Sequence, residues 1–351
     1  MIPARDAEAT LGACLDALEP QGVPGPDAEL IVIDDGSRDR TGAVAQRSGV
    51  RVLVGTRRGP AAARNLGARC ARGDILVFLD ADTMPRANWL TEMLAPFADP
   101  LVIAVKGRYY THQRGVIPRF VQLEFEHKYA RLERAARIDF VDTGTAAYRR
   151  DAFLTSGGFD EVFASAEDVE LAFRLSAAGA RFVFNPKAGV WHRHAETLSA
   201  YLLKKLRYGI FRVEVYRRHP RKTLGDSYTP PLMAVQIGLV ACSWLFGVLL
   251  AARPHGAFRW FLAGVLAAFG LTTLPLVRRA APAGGLWLML SVPPLVYARA
   301  AAQGFGITLG LGRLIMERSH RMDRQPRAGL GITENDNHKL ANPPTRVYAG
   351  R

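Results

Sequence analysis

The chain reads as an α/β protein with a mostly parallel sheet, followed by C-terminal transmembrane helices. Three observations predict this. Short apolar runs at 29–33, 50–54 and 75–79 alternate with stretches of helical period, the rhythm of strands buried on both faces of a parallel sheet. Acidic residues close two of these runs, Asp34-Asp35 and Asp80-Ala81-Asp82, where strand ends open onto the crevice in which α/β sheets bind ligands. Uncharged stretches at 227–252 and 260–277, and an interrupted one at 280–312, approach or exceed the roughly 20 residues that cross a bilayer.

Composition agrees with this division. The 351 residues can hold one domain of ordinary size and something more. Hydrophobic residues make up 49% and the mean hydropathy is +0.02, high for a soluble enzyme, with the excess in the last third. A formal charge of +14 calls for an anionic partner: phosphorylated substrate, acidic lipid or nucleic acid. Cys14, Cys70 and Cys242 have no metal-ligand spacing and read as reduced. No signal peptide is read at Met1-Ile2-Pro3-Ala4-Arg5, and the first strand there is short, so further apolar residues are expected before it.

In chain order, Leu11, Cys14, Leu15 and Leu18 mark an amphipathic helix over 7–18. Strand 29–33 ends at Asp34-Asp35-Gly36-Ser37, and Ser37 or Asp39 can cap the next helix. After strand 50–54, Gly59-Pro60 starts a helix that carries Arg64 and Asn65 into strand 75–79. A strand over 101–105, a charged amphipathic helix over 117–137 and a strand from Val141 follow. Thr143 and Gly144 open that strand, small enough for close substrate approach. Glu167-Asp168 opens a helix over 169–178, where acids also suit the helix dipole. A last short strand, 182–184, precedes Trp191-His192-Arg193-His194, whose histidines read equally as ligands or as structural residues.

Asp80 and Asp82 suit a hard divalent cation that keeps waters and binds phosphate. An Asx-rich turn is the plain alternative. No G-x-G-x-x-G follows a strand and no P-loop is present, so phosphate is expected to be held through metal rather than by a glycine loop.

Ile2-Pro3-Ala4-Arg5-Asp6-Ala7-Glu8, Ile33-Asp34-Asp35-Gly36-Ser37, Ala63-Arg64-Asn65-x-Gly67, Leu79-Asp80-Ala81-Asp82, Gly158-Phe159-Asp160-Glu161 and Glu167-Asp168 occur in an order that resembles family 2 glycosyltransferases of the GT-A fold, over about residues 1–195. The resemblance implies a nucleoside pocket lined by Pro3, Ala4 and Glu8. Asp35, with Asp34 beside it, would bind the base and ribose, and Arg64 would sit near base or phosphates. Asp80 would touch the ribose and, with Asp82 and His192, a Mg²⁺ or Mn²⁺ ion on the diphosphate. Of the pair Glu167-Asp168, Asp168 is expected to be the general base and Glu167 a structural or acceptor-orienting residue, with exchange of roles open.

The membrane half begins with a basic stretch, 198–226, that mixes Lys204, Lys205, Arg207 and Arg212 with Tyr201, Leu206 and Phe211. Such a helix is expected to lie on anionic lipid headgroups, and the apolar runs after it argue against nucleic acid. Expected boundaries are a catalytic domain at 1–197, the interfacial region at 198–226, a membrane region at 227–312 and a basic, disordered tail at 313–351. Spans are expected near 230–252 and 260–277, with the segment 285–312 re-entrant, interfacial or bent at Pro293-Pro294 so that both basic ends stay cytoplasmic. The expected whole is an inverting, metal-dependent enzyme of the inner or plasma membrane. It would pass one sugar from a nucleoside-diphosphate sugar to a hydroxyl of a lipid-linked saccharide at the cytoplasmic face, as in cell-envelope polysaccharide assembly. Lys204-Lys205-Leu206-Arg207-Tyr208 stands where processive relatives carry Gln-x-x-Arg-Trp, which argues for single additions. Two alternatives remain: transfer to polyprenyl phosphate, and an inactive nucleotide-sugar-binding subunit.

Overall fold

A computed structural model describes residues 1–47, 49–227 and 229–323. Strands β1 (Ile2–Ala4), β2 (Leu30–Asp34) and β3 (Val50–Val54) form a parallel sheet in that order, with Ile2 opposite Val32 and Val32 opposite Val52. Helices α1 (Glu8–Asp16), α2 (Thr41–Ala45) and α3 (Pro60–Cys70) make the crossovers. Leu11, Cys14 and Leu15 are the buried stripe of α1, and Asp39 rather than Ser37 caps α2, taking the Thr41 N–H at 3.0 Å. Strand β4 (Ile75–Leu79) lies beside β1: the Met1 amino group donates to the Val77 carbonyl at 2.7 Å, and the Leu79 N–H donates to the Met1 carbonyl at 3.1 Å.

Beyond β4 the strands pair in both directions. Strands β5 (Thr83–Pro85), β6 (Val102–Tyr110), β7 (Thr145–Arg149) and β8 (Arg181–His192) complete a five-stranded sheet in the order β4-β7-β6-β8-β5. Only β6 and β8 are parallel neighbours; β4/β7, β6/β7 and β5/β8 are antiparallel. The reason is where the chain enters. Thr145 begins β7 opposite Leu79, the last residue of β4, so β7 must run back alongside it. Helices α4 (Trp89–Leu94), α5 (Val116–Leu132), α6 (Arg150–Thr155) and α7 (Glu167–Ala177) cover this half.

Strand β8 is twelve residues long, not the short strand expected at 182–184. Asn185-Pro186 looks like a break because proline cannot donate to a ladder. The β6/β8 register shifts between Lys106 and Arg108, an irregularity that accommodates the proline, and the strand resumes through Ala188 and Val190 to His192.

Helices α8 (Leu198–Arg218), α9 (Pro231–Ala252) and α10 (Gly256–Asp323) form the second half. The 22 residues of α9 make about 33 Å of helix at 1.5 Å per residue, enough to cross a hydrocarbon core. The apolar part of α10, Gly256–Met316, runs for 61 residues, too long for one crossing. It is interrupted at Gly285 (φ 66°, ψ −165°), a left-handed position that suits a residue without a Cβ, and not at Pro293-Pro294 as expected. The Arg119 guanidinium of α5 donates to the Ala283 carbonyl just before the break, filling one of the acceptors that a helix end leaves open.

After the break, α10 is clasped from two sides. Arg299 donates to Glu124 of α5 at 2.6 Å and to Gln236 of α9, and the Tyr297 and Ser243 hydroxyls meet at 2.8 Å. Gly306 and Gly310 lie against α8 so closely that a Cβ at 306 would collide with the Leu206 carbonyl. The helix continues to Asp323, so the tail expected to be disordered from 313 opens helical; 324–351 lies outside the described residues.

The basic charge of 198–226 is largely spent inside the protein. Lys205 pairs with Glu124 at 2.9 Å, Arg212 with Asp226, Arg218 with Asp160 and Lys222 with Asp139, each of the last three at 2.5 Å. Lys204, Arg207 and Arg221 are exposed. Three of these pairs, Lys205–Glu124, Arg218–Asp160 and Lys222–Asp139, tie the region to the catalytic half.

Candidate active site

A cleft of about 400 Å³ opens at the ends of β1, β2 and β4, lined by Pro3, Ala4, Asp35, Arg64, Asp80 and Asp82. Asp35 is buried and accepts the Gly59 N–H at 2.8 Å, which orients its carboxylate beside the start of α3. Asp34 turns the other way, accepting the Ser37 N–H at 2.8 Å to close the turn. Glu8 does not line the cleft as expected. Its carboxylate holds the Arg40 side chain at 2.7 Å and the Arg40 N–H at 3.0 Å, because α1 starts beside the α2 cap.

The strand β5 sets the acidic motif against the end of β8. Thr83 is the register partner of His192, and the Thr83 hydroxyl and N–H both donate to the Asp80 carbonyl, at 2.7 and 3.1 Å. Ligand atoms of Asp80, Asp82 and His192 consequently lie within 4.8 Å of one another. The His192 Nδ1 is buried with no hydrogen-bond partner among the described residues. Burial lowers the His192 pKa, which leaves a neutral imidazole, the ligating form. Two carboxylates and a neutral imidazole fit Mn²⁺ or Mg²⁺ with room for diphosphate oxygens. His194, two residues on, bonds to Gln122 at 2.9 Å and is held neutral, its pKa pushed down to about 3 by burial and by His192. It is structural.

Arg64 is buried and joins the two acidic regions, donating to Asp80 at 2.8 Å and to Glu167 at 2.9 Å. It both lines the cleft and fixes Asp80, and Glu167 is committed to Arg64 rather than free. Asp168 stands at the first turn of α7, accepting the Val169 N–H at 2.8 Å. Burial, then the charges of Glu167 and Asp142, push its carboxyl up to about 7. Thr143 is buried, and Gly144 sits where any side chain would fill the site: a Cβ there would strike the Tyr109 hydroxyl and come within 2.8 Å of Asp80 Oδ2.

Three further residues close this wall. Lys106, almost fully buried on β6, pairs with Asp142, and the Tyr109 hydroxyl donates to the same carboxylate at 2.8 Å. Tyr208 of α8 is kept protonated by burial and by the Asp168 charge. Sequence reasoning passed over Lys106, Asp142 and Tyr208. A lysine inside the apolar run of β6 was the available signal, since a buried charge needs a partner.

The fold, with an Asp-x-Asp and histidine cluster beside a cleft at the strand ends, is of the GT-A class. Residues 1–156 match the profile described as Glycosyl transferase family 2. Over 204 residues it is 35% identical to the pre-mycofactocin glycosyltransferase of Mycobacterium tuberculosis, covering 55% of this chain and 43% of that protein. Over 210 residues it is 29% identical to the O-antigen chain rhamnosyltransferase RfbN of Salmonella typhimurium, covering 56% and 66%. The chain thus spans less than half the length of the pre-mycofactocin enzymes it matches. Among solved structures, the mannosyltransferase PcManGT from Pyrobaculum calidifontis, in complex with GDP-Man and Mn²⁺, shares the fold with a TM-score of 0.57 at 22% identity, over 88% of this chain and 85% of that one.

Proposed function

We propose that this chain transfers one sugar, with inversion, from a nucleoside-diphosphate sugar to a hydroxyl of a lipid-linked saccharide at the cytoplasmic face of a membrane. The observation that carries the reading is the convergence of Asp80, Asp82 and His192 on one point beside the cleft, tied through Arg64 to Glu167, whose neighbour Asp168 has its carboxyl pushed up to about 7. Pro3, Ala4 and Asp35 hold the nucleoside. Asp80, fixed by Arg64, and Asp82 and His192 hold Mn²⁺ or Mg²⁺, which when bound supplies positive charge for the departing diphosphate. Asp168 takes the proton of the attacking hydroxyl as its oxygen bonds to the anomeric carbon from the face opposite the leaving group. A carboxyl near pH 7 is a stronger base than an ordinary aspartate, and Glu167, neutralised by Arg64, leaves it that role.

The membrane halves support the cytoplasmic placement. α9 and the part of α10 before Gly285 make an antiparallel pair, with Gln236 near Thr272 and Phe246 stacked on Phe261. The remainder of α10 packs on α9 through Tyr297 and Arg299 and on α5 through Arg299, and we read it as an interfacial segment rather than a third crossing. Both chain ends then share one side. The test is the purified full chain in detergent, given a panel of nucleotide sugars, Mn²⁺ and a total lipid extract. Metal-dependent release of nucleoside diphosphate with a glycosylated lipid product supports the reading; tight nucleotide binding with no release for any donor would make it a binding subunit.

A further inference from the structure

Among the described residues no hydrogen bond reaches the His192 ring, and its Nδ1 is buried without a partner. A metal-binding imidazole is ordinarily fixed by a bond from its second ring nitrogen. Packing stands in for that bond here: the Tyr109 and His194 rings lie against His192, each with its centroid 5.0 Å away. Both neighbours are anchored. His194 Nε2 bonds to Gln122 at 2.9 Å, and the Gln122 amide donates to the Tyr109 carbonyl at 2.9 Å. The Tyr109 hydroxyl donates to Asp142 at 2.8 Å, and its N–H to the Tyr129 hydroxyl at 2.9 Å. The second oxygen of Asp142 is taken by Lys106 of β6. Lys106 is 2% exposed, and its ammonium faces the rings of Tyr109 at 5.3 Å and of Tyr129 and Phe140, each at 5.7 Å. Rings at these distances attract an ammonium through their π faces. A buried ion pair is seldom a net gain in stability over well-packed apolar residues, so the pair needs another reason to sit inside the sheet. Its reach supplies one. Lys106 fixes Asp142, Asp142 fixes the Tyr109 hydroxyl, and the Tyr109 ring packs on His192. Gly144, without a Cβ, lets the same hydroxyl close up toward Asp80.

Resting on the reading of Asp80, Asp82 and His192 as metal ligands, we propose that Lys106 and Asp142 are positioning residues for that cluster. They act through Tyr109, whose ring sets the angle at which the His192 imidazole meets a divalent cation. Neither touches the cation or the substrate. The competing role for a buried lysine beside an acidic site is plain charge balance, and the two roles differ in sign. If Lys106 only balances charge, its removal leaves the site more negative and tightens a bound cation. If it positions, its removal weakens the cation. Asp142, whose side chain is 13% exposed, then turns to water and releases Tyr109, and the imidazole loses its fixed orientation.

The test titrates Mn²⁺ into the full chain in detergent, alone and with UDP or GDP, and follows it by electron paramagnetic resonance. Free ion gives the affinity, and the nitrogen hyperfine coupling of the bound ion reports the His192 ring. Lys106→Met should weaken Mn²⁺ about tenfold, the lower end of what outlying partners of a metal ligand contribute, and should diminish the nitrogen coupling. Tyr109→Phe, which keeps the ring but frees it from Asp142, should act in the same direction and by less. Lys106→Met/Asp142→Asn should regain most of the native affinity, because an amide oxygen still accepts the Tyr109 hydroxyl and needs no ammonium. That recovery separates positioning from damage to the fold. If Lys106→Met does not melt cooperatively, Tyr109→Phe carries the comparison. Tighter or unchanged Mn²⁺ binding with the nitrogen coupling kept, in whichever of the two is compared, overturns the proposal and leaves the metal reading standing. So does a double variant that folds and binds as weakly as the single one. A native chain whose bound Mn²⁺ shows no nitrogen coupling, or whose coupling survives His192→Ala, removes His192 from the cluster and overturns both.

Discussion

Thr83 and His192 are register partners in a three-residue antiparallel ladder, and this short pairing brings the end of β8, held on its other edge by β6, to Asp80 and Asp82. Metal binding is therefore a property of β5 and β8 together. Asp82→Asn should abolish transfer while nucleotide-free thermal stability stays unchanged, and EDTA should reproduce the loss, since metal-borne charge stabilisation is worth several kcal/mol in such reactions. His192→Ala should weaken Mn²⁺ binding, measured by calorimetry or electron paramagnetic resonance, more than it weakens nucleoside binding. Full activity of Asp82→Asn in EDTA would refute the assignment.

The Asp168 carboxyl, raised to about 7, predicts a rise in transfer between pH 6 and 8, because only the deprotonated form can accept the hydroxyl proton. Asp168→Asn should lower transfer by a factor of about 10²–10⁴ and flatten the profile. The same shift has an opposite effect on stability. A carboxyl with a raised folded-state pKa stabilises while protonated, and that contribution is lost as pH rises from about 3.8 through about 7. Asp168→Asn, which cannot ionise, should therefore melt at a higher temperature than the native chain at pH 8. A lower melting temperature with unchanged activity would mark Asp168 as structural.

Arg64 lies between two carboxylates with little water to replace it, so its removal strands both. Arg64→Met should cost about 3–5 kcal/mol of stability, the scale for breaking a buried pair from one side. Denaturation monitored with and without Mn²⁺ checks this, and Arg64→Lys should recover only part, lacking the two-pronged reach to Asp80 and Glu167.

Gly306 tests the seam between the halves. Gly306→Val places a Cβ on the Leu206 carbonyl and must push α8 away from α10. Transfer should fall at least tenfold while UDP or GDP binding with Mn²⁺ persists, because Tyr208 and Lys205 move with α8 and the nucleoside cleft does not.

Topology is tested by reporters at each chain end. Two crossings with an interfacial third segment place both reporters on the cytoplasmic side; a periplasmic or extracellular signal from the C-terminal reporter would require three crossings.

Local sequence disclosed much of the catalytic domain because the relevant signals are short-range. Apolar runs ending in acids located β2 and β4 with their sites, and Leu11, Cys14 and Leu15 located the buried face of α1. What escaped depends on long-range pairing. Pro186 disguised one continuous strand as a short one, since only the β6 partner reveals the register shift that accommodates it. Glu8 was placed in the nucleoside pocket, yet its carboxylate is taken by Arg40, 32 residues away; Arg64 lines the cleft, but its second partner, Glu167, lies 103 residues away. Lys205, Arg218 and Lys222 looked like part of a membrane-facing patch because their acids, Glu124, Asp160 and Asp139, belong to distant elements. Arg299 interrupted an apolar run without showing that Glu124 awaited it. Gly285, not the conspicuous Pro293-Pro294 pair, breaks α10, because the break needs a left-handed residue and a neighbour such as Arg119 to cap the helix end.

The ion pair between Glu124 and Arg299 spans 175 residues of sequence and has a consequence for biogenesis. Domains generally fold in order as they leave the ribosome. Here Tyr201 and Lys205 of α8 cover part of Glu124 and Phe120, but Arg299 and Val296 arrive only with the segment after Gly285. Until that segment has been synthesised, Glu124 lacks one of its two cations and the apolar face of α5 one of its walls. A nascent chain that stalls after α9 therefore carries an incompletely covered face on its catalytic domain, a mark by which quality control can recognise a failed insertion.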